Sequence, residues 1–305
     1  MDIGIVGLGR MGSNMARRLA RRSVRVCAFD VSPVARGALA QEPGVTAYGD
    51  LKSLVRSMAS PRVLWLMLPA GEVVERAFEE LTTLVSEGDV LVDGGNSHYK
   101  DSIRRHRALL ARGLDFIDAG VSGGVWGLEN GYAIMLGGSR EAIARVEPLV
   151  RQLAPAPHAG WLHCGPAGAG HFAKMIHNGI EYGMMQAYAE GFALLKAKTE
   201  FQIDLAALSE SWRHGSVIRS WLLDLMAEFL KHERALESVK PIVADSGEGR
   251  WTAIEAVELG VPAPVMSLAL MARFASQGQD DYASRLLAMM RASFGGHAVH
   301  SAGNK

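Results

Sequence analysis

Apolar and polar positions along this chain change their period near the middle. Through the first half, short apolar runs at residues 3–6, 24–29, 63–68, 90–92 and 116–118 read as buried strands. Between them, residues 15–19, 73–85 and 99–112 repeat their apolar side chains at helical spacing. Strand and helix alternating in this way predict a doubly wound parallel sheet, a Rossmann-like α/β fold. Past residue 161 the strand pattern stops, and helical periodicity runs through 168–198, 204–211, 218–230, 251–259, 264–276 and 280–291. The chain therefore divides into an α/β domain over residues 1–162 and an all-α C-terminal domain over residues 163–305. The first helix of the second half is near ~30 residues, long for a globular protein. So long an apolar helix needs more cover than the small helices after it supply, which predicts pairing of chains through the helical half.

That helix carries an unusual stripe. Lys174, His177, Asn178 and Glu181 fall at i, i+3, i+4 and i+7, which puts an amine, an imidazole, an amide and a carboxylate on one face. Phe172, Met175, Ile176, Ile180, Met184 and Met185 surround them with apolar surface. A polar stripe on a helix apolar enough for burial needs a polar partner or a ligand. A solvated face with one Lys-to-Glu pair is the plainer account, and spacing alone does not choose between them.

Composition removes several classes. The chain has 305 residues, 49% of them apolar, and 32 basic side chains balance 32 acidic ones, so nothing draws it globally to nucleic acid or to a membrane. The most basic run, Arg17-Arg18-Leu-Ala-Arg21-Arg22, is expected on the solvated face of the first helix. Cys27 and Cys164 make no paired-cysteine pattern, which fits a reducing compartment. No run reaches the ~18 apolar residues of a membrane span, and no leader precedes the first strand, so a soluble cytoplasmic protein is expected. His163, Cys164, His171 and His177 match no metal-ligand spacing, and no metal is expected.

The chemistry begins at the first strand. Gly7-Leu8-Gly9-Arg10-Met11-Gly12 stands between a strand and a helix, the setting of the dinucleotide-binding glycine fingerprint. Gly7 permits a tight turn, Gly9 lets backbone approach a pyrophosphate, and Gly12 lets the helix pack on the sheet. The second strand ends at Asp30, roughly twenty residues on, where a carboxylate accepts the hydroxyls of the adenosine ribose. That carboxylate repels a 2′-phosphate, so NAD is favoured over NADP; Arg36 nearby could soften the preference. Asp30 could instead cap the next helix, although Ser32 before Pro33 suits that task better. Three glycine-bearing loops, Leu68-Pro69-Ala-Gly71, Asp93-Gly-Gly-Asn96-Ser97 and Gly120-Val-Ser122-Gly123-Gly124, fall at the carboxyl edge of the sheet. Leu68, Pro69 and Asn96 are placed to meet the cofactor there, and Asn96 and Ser122 offer polar side chains to a ligand.

Taken together, these motifs and the runs Gly170-His-Phe-Ala-Lys-Met-Ile-His-Asn-Gly-Ile-Glu-Tyr-Gly183, Gly249-Arg-Trp-Thr-Ala253 and Arg291-Ala-Ser-Phe-Gly-Gly-His297 closely resemble the 6-phosphogluconate dehydrogenases, in their shorter form. The resemblance implies oxidative decarboxylation of 6-phosphogluconate to ribulose 5-phosphate and CO2. Lys174 would serve as general base and then acid, and Glu181 would protonate the enediol, kept neutral by burial beside Ile180 and Met184. Asn96, Ser122, Gly123, Gly124, His177 and Asn178 would hold the sugar hydroxyls and carboxylate, with Tyr182, Arg250 and Arg273 on the phosphate. Arg291 and His297 would reach the site from the C-terminal tail of a neighbouring subunit, making the active unit a homodimer or homotetramer. A role in gluconate utilisation or the pentose phosphate pathway is implied in the same way. Where NADP-linked members carry Asn-Arg-Thr, this chain has Asp30-Val-Ser32, which again points to NAD. Position 250 is arginine where longer members commonly have lysine. Two other readings remain at this point: a 3-hydroxyacid dehydrogenase or reductase of the same fold, and a non-catalytic NAD-sensing protein.

Overall fold

The computed structural model describes residues 2–232, 236, 239–278 and 281–295. They fall into two compact units, divided between Ile176 and His177. The first opens with β1 (Asp2–Val6), α1 (Arg10–Ala20), β2 (Arg25–Phe29), α2 (Pro33–Leu39), β3 (Val45–Tyr48), α3 (Leu51–Arg56), β4 (Val63–Leu66) and α4 (Glu72–Leu84). It continues through β5 (Val90–Asp93), α5 (Tyr99–Leu110), β6 (Asp115–Ser122), α6 (Gly127–Asn130), β7 (Ala133–Gly138), α7 (Arg140–Leu153) and β8 (Trp161–Gly165). The long helix α8 (Ala169–Ala197) starts in this unit, and its later turns belong to the second. The second unit adds α9 (Leu205–Arg213), α10 (Trp221–His232), α11 (Glu248–Glu258), α12 (Pro264–Ser276) and α13 (Asp281–Gly295).

The eight strands make one sheet in the order β3-β2-β1-β4-β5-β6-β7-β8. The order reverses at β1, with β2 on one side and β4 on the other, which creates the crevice where such sheets bind ligands. Two apolar layers flank the sheet. Ile3, Met15, Leu19, Trp65 and Val146 belong to one, and Leu54, Phe78, Leu91 and Phe116 to the other.

Two features depart from expectation. The sheet is not wholly parallel, because β7 runs antiparallel to β6, pairing Asp118 with Gly137 and Ser122 with Ala133. As a result Gly120, Val121 and Ser122 lie in strand rather than in a loop, and the turn begins at Gly123. The basic run on α1 is also not all solvated. Arg18 is buried and donates to the carbonyls of Leu128, Glu129, Gln152 and Ala154, closing the ends of α6 and α7.

In the second unit, Tyr182, Ala269 and Leu270 form one small core, and Phe192, Ala206 and Leu230 another. Much apolar surface stays outside them, including Ile180, Met184, Met185, Leu268 and Met271. No helix among the described residues is long and apolar enough to cross a membrane.

Candidate active site

The glycine loop is built as its spacing predicts. Gly7 takes a φ of 95°, and a Cβ there would stand 2.5 Å from the Met67 carbonyl oxygen. A Cβ on Gly12 would meet the Gly7 carbonyl oxygen at 2.0 Å, so α1 packs against the turn only because that position lacks a side chain. Around Gly9 the corresponding space is open, and no side chain caps α1. Arg10 and Gly9 are exposed and Met11 half-buried at this helix start. Bare N–H groups at the positive end of α1, beside an open glycine, fit a pyrophosphate.

Asp30 closes the same corner. Its Oδ2 accepts the Leu8 N–H at 2.7 Å and its Oδ1 the Ser32 N–H at 2.8 Å, so the carboxylate is fixed beside the glycine loop. Ser32, not Asp30, caps α2 by accepting the Ala35 N–H. Arg36 donates Nη1 to the carbonyl oxygens of Asp30 and Val31. These residues fit the adenosine half of a dinucleotide.

The loops after β4 and β5 lie close together. A Cβ on Gly95 would be 2.4 Å from the Leu68 carbonyl oxygen, while Pro69 and Asn96 are exposed. Buried Asp93 accepts the Gly95 N–H and the guanidinium of buried Arg105, which also bonds Glu75 of α4. Burial works to raise the Glu75 carboxyl, but its bonds from Arg104 and Arg105 outweigh that and hold it below the usual range. At the end of β6, Ser122 is half-buried, and Gly123 and Gly124 take φ values of 131° and 53°. The Tyr132 ring fills the space beneath Gly127, and burial pushes its phenol up to about 12.

Lys174 lies half-buried on α8 in the first unit. A Cβ on Gly120 would be 2.3 Å from the Lys174 Cβ, so the lysine stem runs over bare strand backbone. His177, Asn178 and Glu181 follow on the same helix. His177 Nδ1 is 3.1 Å from Asn178 Oδ1 and 3.8 Å from a Glu181 oxygen. The Glu181 side chain is 41% exposed, and Ile180 and Met184 are exposed too, so the expected burial of the carboxyl beside them is not met among the described residues.

Farther along, one glycine on α8 and one on α11 let the two helices come close. A Cβ on Gly179 would meet Thr252 at 2.6 Å, and one on Gly249 would meet the Tyr182 ring at 2.3 Å. The Tyr182 hydroxyl is 3.3 Å from Asp245 Oδ1, and Asp245 Oδ2 takes Arg250 Nη2 at 2.8 Å. The Arg273 guanidinium stacks 3.4 Å above the Tyr182 ring. Tyr182, Arg250, Arg273 and Asp245 therefore form one cluster, in which Arg250 is paired with Asp245 and Arg273 Nη1 donates to the Ala244 carbonyl, leaving the remaining guanidinium donors to an anionic group. The side chain of Arg291 and all of His297 lie outside the described residues. Sequence reasoning missed Asp245, Asp118 and Arg105; the first two are buried carboxylates outside any motif, visible only once their donors are placed.

Two family models match the chain. The NAD binding domain of 6-phosphogluconate dehydrogenase covers residues 2–164, and the 6-phosphogluconate dehydrogenase C-terminal domain covers residues 170–300. A relative from Haloferax volcanii, named 6-phosphogluconate dehydrogenase, NAD(+)-dependent, decarboxylating, is 40% identical over 98% of this chain and 98% of its own. The Plasmodium falciparum 6-phosphogluconate dehydrogenase structure has a TM-score of 0.85 at 27% identity, covering 100% of this chain and 67% of that one. Mycobacterium tuberculosis 3-hydroxyisobutyrate dehydrogenase has a TM-score of 0.69 at 24% identity, covering 92% and 94% of the two chains, a likeness of fold alone.

Proposed function

The chain belongs to the 6-phosphogluconate dehydrogenase family, and from that premise we propose that it oxidises 6-phosphogluconate with NAD, releasing CO2 and ribulose 5-phosphate. The observation that carries the choice of substrate is the Tyr182, Arg250 and Arg273 cluster. Two arginines at one place suit a phosphate better than the single charge of a hydroxyacid carboxylate. Tyr182, Arg250 and Arg273 bind the phosphate, while Asn96, Ser122, Gly123, Gly124, His177 and Asn178 hold the hydroxyls and carboxylate. Arg291 and His297 complete the phosphate site from a neighbouring copy, which makes the working enzyme a homo-oligomer. It acts in the cytoplasm, where its phosphorylated substrate is held.

The glycine loop, Leu68, Pro69, Asn96 and Asp30 hold the dinucleotide. NAD, when bound, supplies the hydride acceptor. Lys174 takes the proton of the C3 hydroxyl as that carbon is oxidised, for which its amine must first be neutral. The ketone so formed is β to the carboxylate, and CO2 departs as electrons move into the carbonyl. Protonated Lys174 then returns its proton to the enolate oxygen. Glu181 delivers a proton to the carbon that lost CO2 while neutral Lys174 takes back the proton of the enediol hydroxyl, leaving the ketone of ribulose 5-phosphate; a carboxyl serves as acid there only once a ligand or neighbouring copy has covered it.

The test is production of reduced nicotinamide from 6-phosphogluconate, followed by its near-ultraviolet absorbance with NAD and NADP in parallel. Faster reduction of NAD is expected, with CO2 released in equal amount. Turnover of an unphosphorylated 3-hydroxyacid without CO2 would replace the reading. Lys174→Ala is expected to abolish oxidation while leaving NAD binding intact, and wild-type-like turnover would remove it as base.

A further inference from the structure

Alternation along β6 puts Asp118, Gly120 and Ser122 on one face of the strand. The start of α8 lies on that face, within the first unit. Asp118 is fully buried, and both its oxygens are used. Oδ1 accepts the Gly168 N–H at 2.6 Å, and Oδ2 accepts the His171 N–H at 2.7 Å. These are first-turn donors that the helix itself leaves without partners. One residue pair along the same face, Gly120 leaves the gap that the Lys174 stem fills.

The contact is close throughout. A Cβ on Gly170 would be 2.5 Å from the carbonyl oxygens of both Asp118 and Met135, and one on Gly137 would be 2.4 Å from Asp118 Oδ1. Helix backbone therefore rests directly on strand backbone, with no side chains to cushion a slip. His171 adds a lateral tie, its Nδ1 2.7 Å from the Ser102 hydroxyl of α5.

A helix cap ordinarily comes from the residue just before the helix. Asp118 instead lies 50 residues before Gly168, so its bonds couple α8 to the sheet as well as satisfying its end. We propose that Asp118 is the positioning residue of the lysine base: its carboxylate fixes the depth and rotation of α8 on β6, and Gly120 seats the Lys174 stem. This rests on the reading of Lys174 as base. Charge-assisted bonds to backbone donors are about twice as strong as neutral ones. A catalytic group misplaced by 1 Å loses about 100-fold in rate.

Asp118→Asn tests it, because an amide keeps the shape but turns an NH2 group toward one of the two N–H donors. In the full-length enzyme, kcat for 6-phosphogluconate with NAD is expected to fall by roughly 10- to 100-fold, with KM for the sugar acid and Kd for NAD unchanged. Gly120→Ala, pressing on the lysine stem from the strand side, is expected to give the same loss confined to kcat. A lowered melting temperature with unchanged kcat would reduce Asp118 to a stability cap and overturn the proposal. So would a loss confined to KM. If Asp118→Asn does not fold, Gly120→Ala decides, and an unchanged kcat there overturns the seat. Wild-type enzyme is assayed first. Should it turn over a 3-hydroxyacid and not 6-phosphogluconate, the substrate reading alone fails, and the same comparison of kcat is made on that acid.

Discussion

At the scale of single residues, Asp30 is the clearest case of one side chain doing two tasks. Its carboxylate fixes the backbone of Leu8 in the glycine loop and, in the proposed binding of the dinucleotide, faces the ribose 2′ position. A 2′-phosphate brought near it meets a fixed negative charge, and Arg36 already donates its Nη1 to the carbonyls of Asp30 and Val31. At about 4 Å such repulsion amounts to about 1 kcal/mol in water and more near a protein surface, so roughly fivefold or more in relative affinity. Asp30→Asn is therefore expected to move the NAD to NADP preference toward NADP by about that factor, measured as the ratio of kcat/KM for the two cofactors. NAD binding itself is expected to weaken as well, since the amide presents a donor to either the Leu8 or the Ser32 N–H. An unchanged ratio would put the selectivity outside Asp30.

At the scale of elements, the loops around the sheet depend on buried carboxylates that no periodicity reveals. Asp89, fully buried just before β5, accepts the N–H groups of Arg62 and Ser86, the Ser60 hydroxyl and the Arg62 guanidinium. Burial alone would raise its carboxyl, but these bonds outweigh it and hold the group below its ordinary 3.8. A depressed carboxylate adds stability that is complete above its unfolded value and fades as pH falls through the folded one. Asp89→Asn is expected to cost about 3 kcal/mol at neutral pH. That cost should shrink once the pH drops below 3.8, as denaturant titrations of both proteins would show. A penalty independent of pH would assign the loss to packing. Such contacts mark the limit of what the sequence makes legible. Helices α4 and α12 are readable because their apolar positions run long, and the glycine loop because its spacing has one mechanical use. β3, β7 and β8 are not, being short runs broken by glycine or half-exposed. Nor could spacing say why α8 tolerates Gly170, Gly179 and Gly183; Asp118 and Thr252 approach the first two too closely for a side chain, and Val265 would have to give slightly at the third.

At the scale of the whole molecule, the helical unit has more apolar surface than its own cores cover. Ile180, Met184 and Met185 on α8 are exposed, as are Val257 on α11 and Val265, Leu268 and Met271 on α12. Monomers rarely keep so many large apolar side chains in water on adjoining helices. The Glu181 carboxyl on the same stretch of α8 needs cover to serve as an acid, and a second copy of the chain would supply cover to both. Leu268→Glu combined with Met271→Glu places charges on that face without touching the glycine loop or Asp30. Sedimentation is expected to show the wild-type chain as a dimer or larger and this variant as a monomer. The monomer should still bind NAD, since the sheet and its loops belong to the other unit, yet have lost oxidation of 6-phosphogluconate. Full activity in a monomer would mean that one chain buries Glu181 and completes the phosphate site without help. A wild-type chain already monomeric at assay concentration would carry the same meaning.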